Sequence, residues 1–170
     1  MNEQSYDLNT LLDILYSAVN EFYERDTDLL TNNKAIRKGM ERSCAFRIGY
    51  YLCNLIKGTM FDNYDVDMEY NKNSMQQKNL EKRNVCPDLI IHKRWSNDNN
   101  LLVIEFKHGV SSDSSNDIRK LKGFTRNNGS YKYKLGVLLE LGSCALEVKY
   151  TFFRNGKEVT IEELEVNLNE

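Results

Sequence analysis

The chain has 170 residues, 41% apolar and 28% charged, with a formal net charge of −2, which suits one soluble domain with a real core and excludes two comfortable ones. No apolar run approaches the ~20 residues a membrane helix needs. The opening "MNEQSYDLNT" lacks the basic stretch and apolar core of a secretory leader, so a cytoplasmic protein with no membrane partner is expected.

Leu8, Leu11, Leu12, Leu15, Val19 and Phe22 recur at helical spacing and predict a helix over about 7–25. A second helix is expected over about 33–57, with Ile36, Met40, Cys44, Ile48, Tyr51, Leu52 and Leu55 as its apolar stripe and Gly58 as its stop. The period then changes to two. In "YDVDMEYN", Val66, Met68 and Tyr70 face one way and Asp65, Asp67 and Glu69 the other, a half-exposed strand. Residues 72–85 are polar and basic and are expected to form a long loop. "PDLIIHK" and "NLLVIEFK" predict two strands joined by the turn-rich "RWSNDNN". "DIRKLKGFTRN" predicts a short helix with Ile118, Leu121 and Phe124 inward. "YKYKLGVLLELG" predicts a strand whose apolar second half is buried on both faces. "ALEVKYTFFRNGKEV" predicts a hairpin turning at Asn155-Gly156, and the acidic tail "TIEELEVNLNE" is expected to fray. The order calls for a single α/β domain over 1–170, a sheet with helices on both faces, its core over about 35–142 and its C-terminal hairpin over 145–160.

Four cysteines, Cys44, Cys53, Cys86 and Cys144, form no C-x-x-C pair. With only His92 and His108 to complete a zinc site, they read as reduced, mostly buried thiols. Charge is unevenly spread. Residues 72–134 hold 13 lysines and arginines against six acids, so the rest of the chain is acidic. Such a basic half suits phosphate binding or a merely solvated surface.

Glu105 and Lys107 interrupt an apolar strand two residues apart. If Asp88 pairs with Glu105, then Ile90 faces Val103, His92 faces Leu101, and the connection falls at Ser96-Asn97. Both carboxylates then stand side by side with Lys107 one step beyond on the same face. Two carboxylates about 5 Å apart resist joint ionisation. A hard cation such as Mg²⁺ or Mn²⁺ removes the conflict, with the Phe106 carbonyl as a further oxygen ligand. Lys107 would orient a bound water, help it lose a proton, or neutralise charge on a phosphate. The plainer alternative is a salt bridge from Lys107 to the two acids. His92, Lys93 and Arg94 lie at the far end of the hairpin, and His108 turns to the opposite face.

Pro87-Asp88 followed by Glu105-Phe106-Lys107 resembles the signature of the PD-(D/E)XK nuclease superfamily, and the helix, three-strand, helix, strand order over about 35–142 resembles its small bacterial and phage members. The resemblance implies a restriction-endonuclease-like three-layer αβα sandwich around a mixed sheet. It implies Asp88 and Glu105 as metal ligands and Lys107 as the catalytic lysine. It also implies a glutamate on the first core helix, for which Glu41 fits if it is not paired with Arg37, and a basic residue from the following helix, for which Lys120 is the choice. Asp67 and Glu69 are expected to face solvent, though one could reach the site. The implied activity is Mg²⁺- or Mn²⁺-dependent hydrolysis of nucleic acid, with DNA expected before RNA. The alternative is a catalytically silent module that binds nucleic acid or protein on the same fold. A homodimer or larger complex is also open, because no separate recognition domain is visible.

Overall fold

A computed structural model describes residues 3–30, 40–73, 76–108 and 113–166, with side chains described between Leu8 and Leu164 in those spans. Helix α1 covers Glu3–Arg25 and α2 covers Met40–Leu55. Strand β1 (Asp65–Met68) follows, then four two-residue strands, β2 (Lys72–Asn73), β3 (Gln76–Gln77), β4 (Asn79–Leu80) and β5 (Arg83–Asn84). Strands β6 (Leu89–His92) and β7 (Leu102–His108) form the central hairpin. Helix α3 (Ser115–Thr125) leads to β8 (Leu135–Leu141), β9 (Lys149–Arg154), β10 (Lys157–Val159) and a last helix α4 (Ile161–Val166). Six strands make one mixed sheet in the order β1-β6-β7-β8-β9-β10, with β7 and β8 parallel and every other pair antiparallel. A parallel neighbour needs a crossover, and α3 supplies it.

Strand alternation divides the core in two. Leu89, Ile91, Leu102, Ile104 and Phe106 pack with α1 and α2 on one face, while Ile90 and Val103 pack with Leu121 and Phe124 of α3 on the other. All six apolar positions predicted for α1 are buried. Cys44, Ile48, Tyr51 and Leu52 bury the α2 stripe, and Ile36 lies outside the described residues. Helix α2 approaches β6 closely at Gly49, where an added Cβ would come within 2.8 Å of Leu89 Cδ1. At the β9–β10 turn, Asn155 and Gly156 both take positive φ, 56° and 79°, as a tight hairpin requires.

Four expectations are corrected. The segment after β1 is not a plain loop, because Lys72–Asn73 pairs with Gln76–Gln77 and Asn79–Leu80 with Arg83–Asn84. The tail does not fray before residue 166. Thr160 and Glu163 exchange side-chain to backbone hydrogen bonds of 2.7 and 3.2 Å, a capping box that starts α4, and Leu164 seats in the first core at 1% exposure. Tyr70 does not share a face with Val66 and Met68, since Glu69 takes a positive φ of 46° and sends Tyr70 to the second core. Only Cys44 is buried; Cys53 and Cys144 are exposed and Cys86 is intermediate.

Lys78 is buried at 1% exposure over the rings of Tyr70 and Tyr131, 4.8 and 5.7 Å from their centroids, and its ammonium donates to the Lys72 carbonyl. Burial pulls its pKa from 10.5 down to about 8. The folded state therefore binds fewer protons than the unfolded chain between those values, and stability rises with pH across that window. Lys78→Met is expected to be more stable than wild type at pH 7, by an amount that narrows toward pH 10.5, read as a difference in Tm.

Candidate functional site

The register of the central hairpin decides which side chains meet. Leu89 pairs with Ile104, Ile90 with Val103 and Ile91 with Leu102, so Asp88 continues the ladder opposite Glu105. Pro87 has no N–H to offer and sits just before the strand, where that loss is harmless. The Asp88 carbonyl still accepts from Glu69 N–H at 3.0 Å, which anchors it beside β1. Its carboxylate Oδ2 accepts from Phe106 N–H at 2.8 Å, beyond the last β6–β7 pair. In a strand the N–H and C=O of one residue point to the same side, so the Phe106 carbonyl shares the edge that Asp88 occupies.

Glu105 and Lys107 lie on the α3 face with Ile90 and Val103. Helix α3 meets them with Asp117 in its first turn and Lys120 one turn later. Lys107 Nζ is 2.7 Å from Asp117 Oδ2. Lys120 Nζ contacts Glu105 Oε2 directly and lies 3.2 Å from Asp117 Oδ1. From the opposite layer, Glu41 in the first turn of α2 accepts from His108 N–H at 3.1 Å. Glu41 and Asp88 line one cavity of about 140 Å³, together with Arg42, Ala45, Met68, Glu69 and Phe106. Four carboxyls and two ammoniums thus gather around the end of β7.

The electrostatics follow from that crowding. Glu105 is fully buried, and burial together with the neighbouring Asp88 pushes its carboxyl well above the usual range against the pull of Lys120. Burial also raises Asp88, with Asp117 and Glu41 adding to the rise and the Phe106 N–H and Lys120 opposing it. For both lysines burial disfavours the ammonium, but their acidic partners outweigh it, and both pKa values are raised. The Cys86 thiol is pushed up by burial and by Glu69, Asp88 and Glu105, which keeps it protonated and weakly nucleophilic.

The five sequence-predicted side chains Asp88, Glu105, Lys107, Glu41 and Lys120 are brought to one end of the sheet. The simple salt-bridge alternative is not what forms there, since Lys107 pairs with Asp117 and it is Lys120 that holds Glu105. Glu69 lines the cavity and pairs with exposed Arg42 at 2.8 Å. Asp67 is bound elsewhere, with Oδ2 3.0 Å from His92 Nε2 and its carboxylate held by Arg94. His92 is buried against Tyr70, and burial lowers its pKa. Asp117 is the residue that sequence reasoning missed. Its signal was the D-x-x-K spacing to Lys120, which places both on one helical face.

Two features of the donor set suit a hard divalent cation. Among the described residues Glu105 Oε1 is buried without a hydrogen-bond partner, and two adjacent carboxyls are held above their normal range. Among the described residues no group of three or more His, Cys, Asp or Glu side chains is placed to hold a metal ion. An open set of one or two carboxylates completed by water is the arrangement Mg²⁺ favours. No helix among the described residues is long and apolar enough to cross a membrane. Comparison with protein-family models, with curated proteins and with solved structures gave no match for this chain.

Proposed function

We propose that the protein is a Mg²⁺- or Mn²⁺-dependent phosphodiesterase that hydrolyses nucleic acid, with DNA the expected substrate, on a restriction-endonuclease-like fold. The observation that carries this reading is the placement of Asp88 opposite Glu105 beside two lysines, with Glu105 Oε1 buried and without a partner among the described residues. The element order supports it too: α2, the antiparallel run β1-β6-β7, the α3 crossover and parallel β8. Asp88 and Glu105 would hold the cation, with Glu41 and the Phe106 carbonyl at its margin. When bound, it would neutralise the acids and polarise a phosphate oxygen. Asp117 keeps Lys107 charged and fixes its direction. A charged Lys107 suits orienting the attacking water and offsetting charge that develops on the phosphate better than removing a proton. Phe46 and Tyr50 stand 58% and 50% exposed on the solvent face of α2, downstream of Glu41, and offer rings on which bases can stack.

A second reading has its own support. The pairs Lys107–Asp117 and Lys120–Glu105 already neutralise much of the cluster, which suits a silent module that binds nucleic acid or protein. Titrating Mn²⁺ while following thermal unfolding separates the two. A site that binds only the folded state should gain about 2.7 kcal/mol at a hundredfold excess over Kd, several degrees in Tm. The gain should vanish in Asp88→Asn. No rise in wild type favours the silent module.

A further inference from the structure

A second cavity, of about 320 Å³, lies around Leu101, at the end of β7 remote from Lys107. Six strand residues separate the two positions, on the order of 20 Å. Its floor is apolar, made by Leu8 and Leu11 of α1 with Phe61 and Leu101, none more than 6% exposed. Its rim carries Lys132, Lys134 and Arg154 beside the carboxamides of Asn127 and Asn155, and no acidic residue among those described lines it. Neither Lys132 nor Arg154 joins an ion pair among the described residues. Lys132 and Arg154 over an apolar floor, in a chain that is acidic on balance, repel one another and favour an anion at the rim.

We propose that this cavity binds a single nucleotide unit, its phosphate against Lys132 and Arg154 and its base over Phe61 and the leucines. Charge-assisted donors suit a phosphate. Asn127 and Asn155 each offer both a donor and an acceptor, which matches a base edge, whereas a fatty acid's carboxylate could use only their donors and its hydrocarbon tail neither. The volume sits at the lower end of the ~300–1,000 Å³ of small-molecule pockets, enough for one nucleotide and too little for two. The nucleotide could be free or could end a strand. The inference does not rest on the hydrolase reading, because the two cavities share no lining residue.

The test is thermal unfolding and calorimetric titration of the full chain in EDTA with four probes: adenosine 5′-monophosphate, adenosine, inorganic phosphate and a 5′-phosphorylated tetranucleotide. The monophosphate is expected to raise Tm, and adenosine or phosphate alone to bind at least tenfold more weakly. Arg154→Glu and Lys132→Glu should each weaken the monophosphate at least tenfold. Lys132 is exposed, so its substitution reads binding even if Arg154→Glu disturbs β9. Tighter binding of the tetranucleotide, lost with the same substitutions, identifies a strand end as the source. No response to either phosphorylated probe, or a response that survives both substitutions, overturns the proposal.

Discussion

Lys107→Ala should cleave nucleic acid roughly 10²–10⁴-fold more slowly than wild type with either Mg²⁺ or Mn²⁺, the span that positioned charge and proton handling contribute. The structure gives a reason to expect this loss without unfolding. The Lys107 side chain retains 18% exposure, so its removal opens no sealed cavity. Its partner Asp117 keeps Lys120 at 3.2 Å and is not left without a cation. Lys107→Arg restores charge but not the compact ammonium, and should recover only part of the rate. Cleavage by Lys107→Ala at the wild-type rate, with Tm unchanged, would remove the catalytic assignment altogether.

The largest expected effect on stability belongs to Lys120. Lys120→Met leaves Glu105 in a fully buried position without its cation. Breaking a buried pair from one side costs about 3–5 kcal/mol, on the order of ten degrees in Tm for a chain of this length. The sign of the pH dependence is fixed by the direction of the Glu105 shift. Its folded pKa is raised well above 4.5, so in the interval between the two values the folded state binds the proton that the unfolded state has lost. Stability therefore falls as pH rises through that interval and returns as pH is lowered into it. Lys120→Met should steepen this fall, because the opposing cation is gone. The double variant Lys120→Met, Glu105→Gln should recover most of the loss at neutral pH. Mn²⁺ should also recover part of it in Lys120→Met alone, provided Asp88 is present. A Lys120→Met variant as stable as wild type at every pH would show that the pair contributes nothing.

The parts legible in the sequence are those governed by period. The α1 stripe from Leu8 to Phe22 and the alternation of Leu89 through His92 each follow from one repeat, and the hairpin register followed from alternation plus a loop of turn residues. That register alone brought Asp88 next to Glu105. What stayed hidden depends on contacts that no period encodes. Asp117 looks like an ordinary acidic residue in the first turn of a helix, favourable to the helix dipole wherever it points. Its role exists only because the α3 crossover lays that turn over Lys107. Asp67 lies on the predicted side of β1, yet its partners His92 and Arg94 come from the neighbouring strand and loop. Lys78 misled more strongly, since an isolated lysine in a polar stretch reads as solvated. Tyr131, more than fifty residues away in the chain, helps make its site apolar. The capping box at Thr160 was present as T-x-x-E and was obscured by the acidity of the tail.

The seating of Leu164 carries a consequence for biosynthesis. Helix α4 contacts α1, and Leu164 seats in the same core as the α1 stripe. During synthesis at ~5–20 residues per second, α1 leaves the ribosome long before its last partner exists. Helix α2 follows soon after and can cover most of the α1 face, but the place that Leu164 fills stays open until α4 has been made. A nascent chain arrested before residue 160 should therefore be cut by proteases faster than one extended past Leu164.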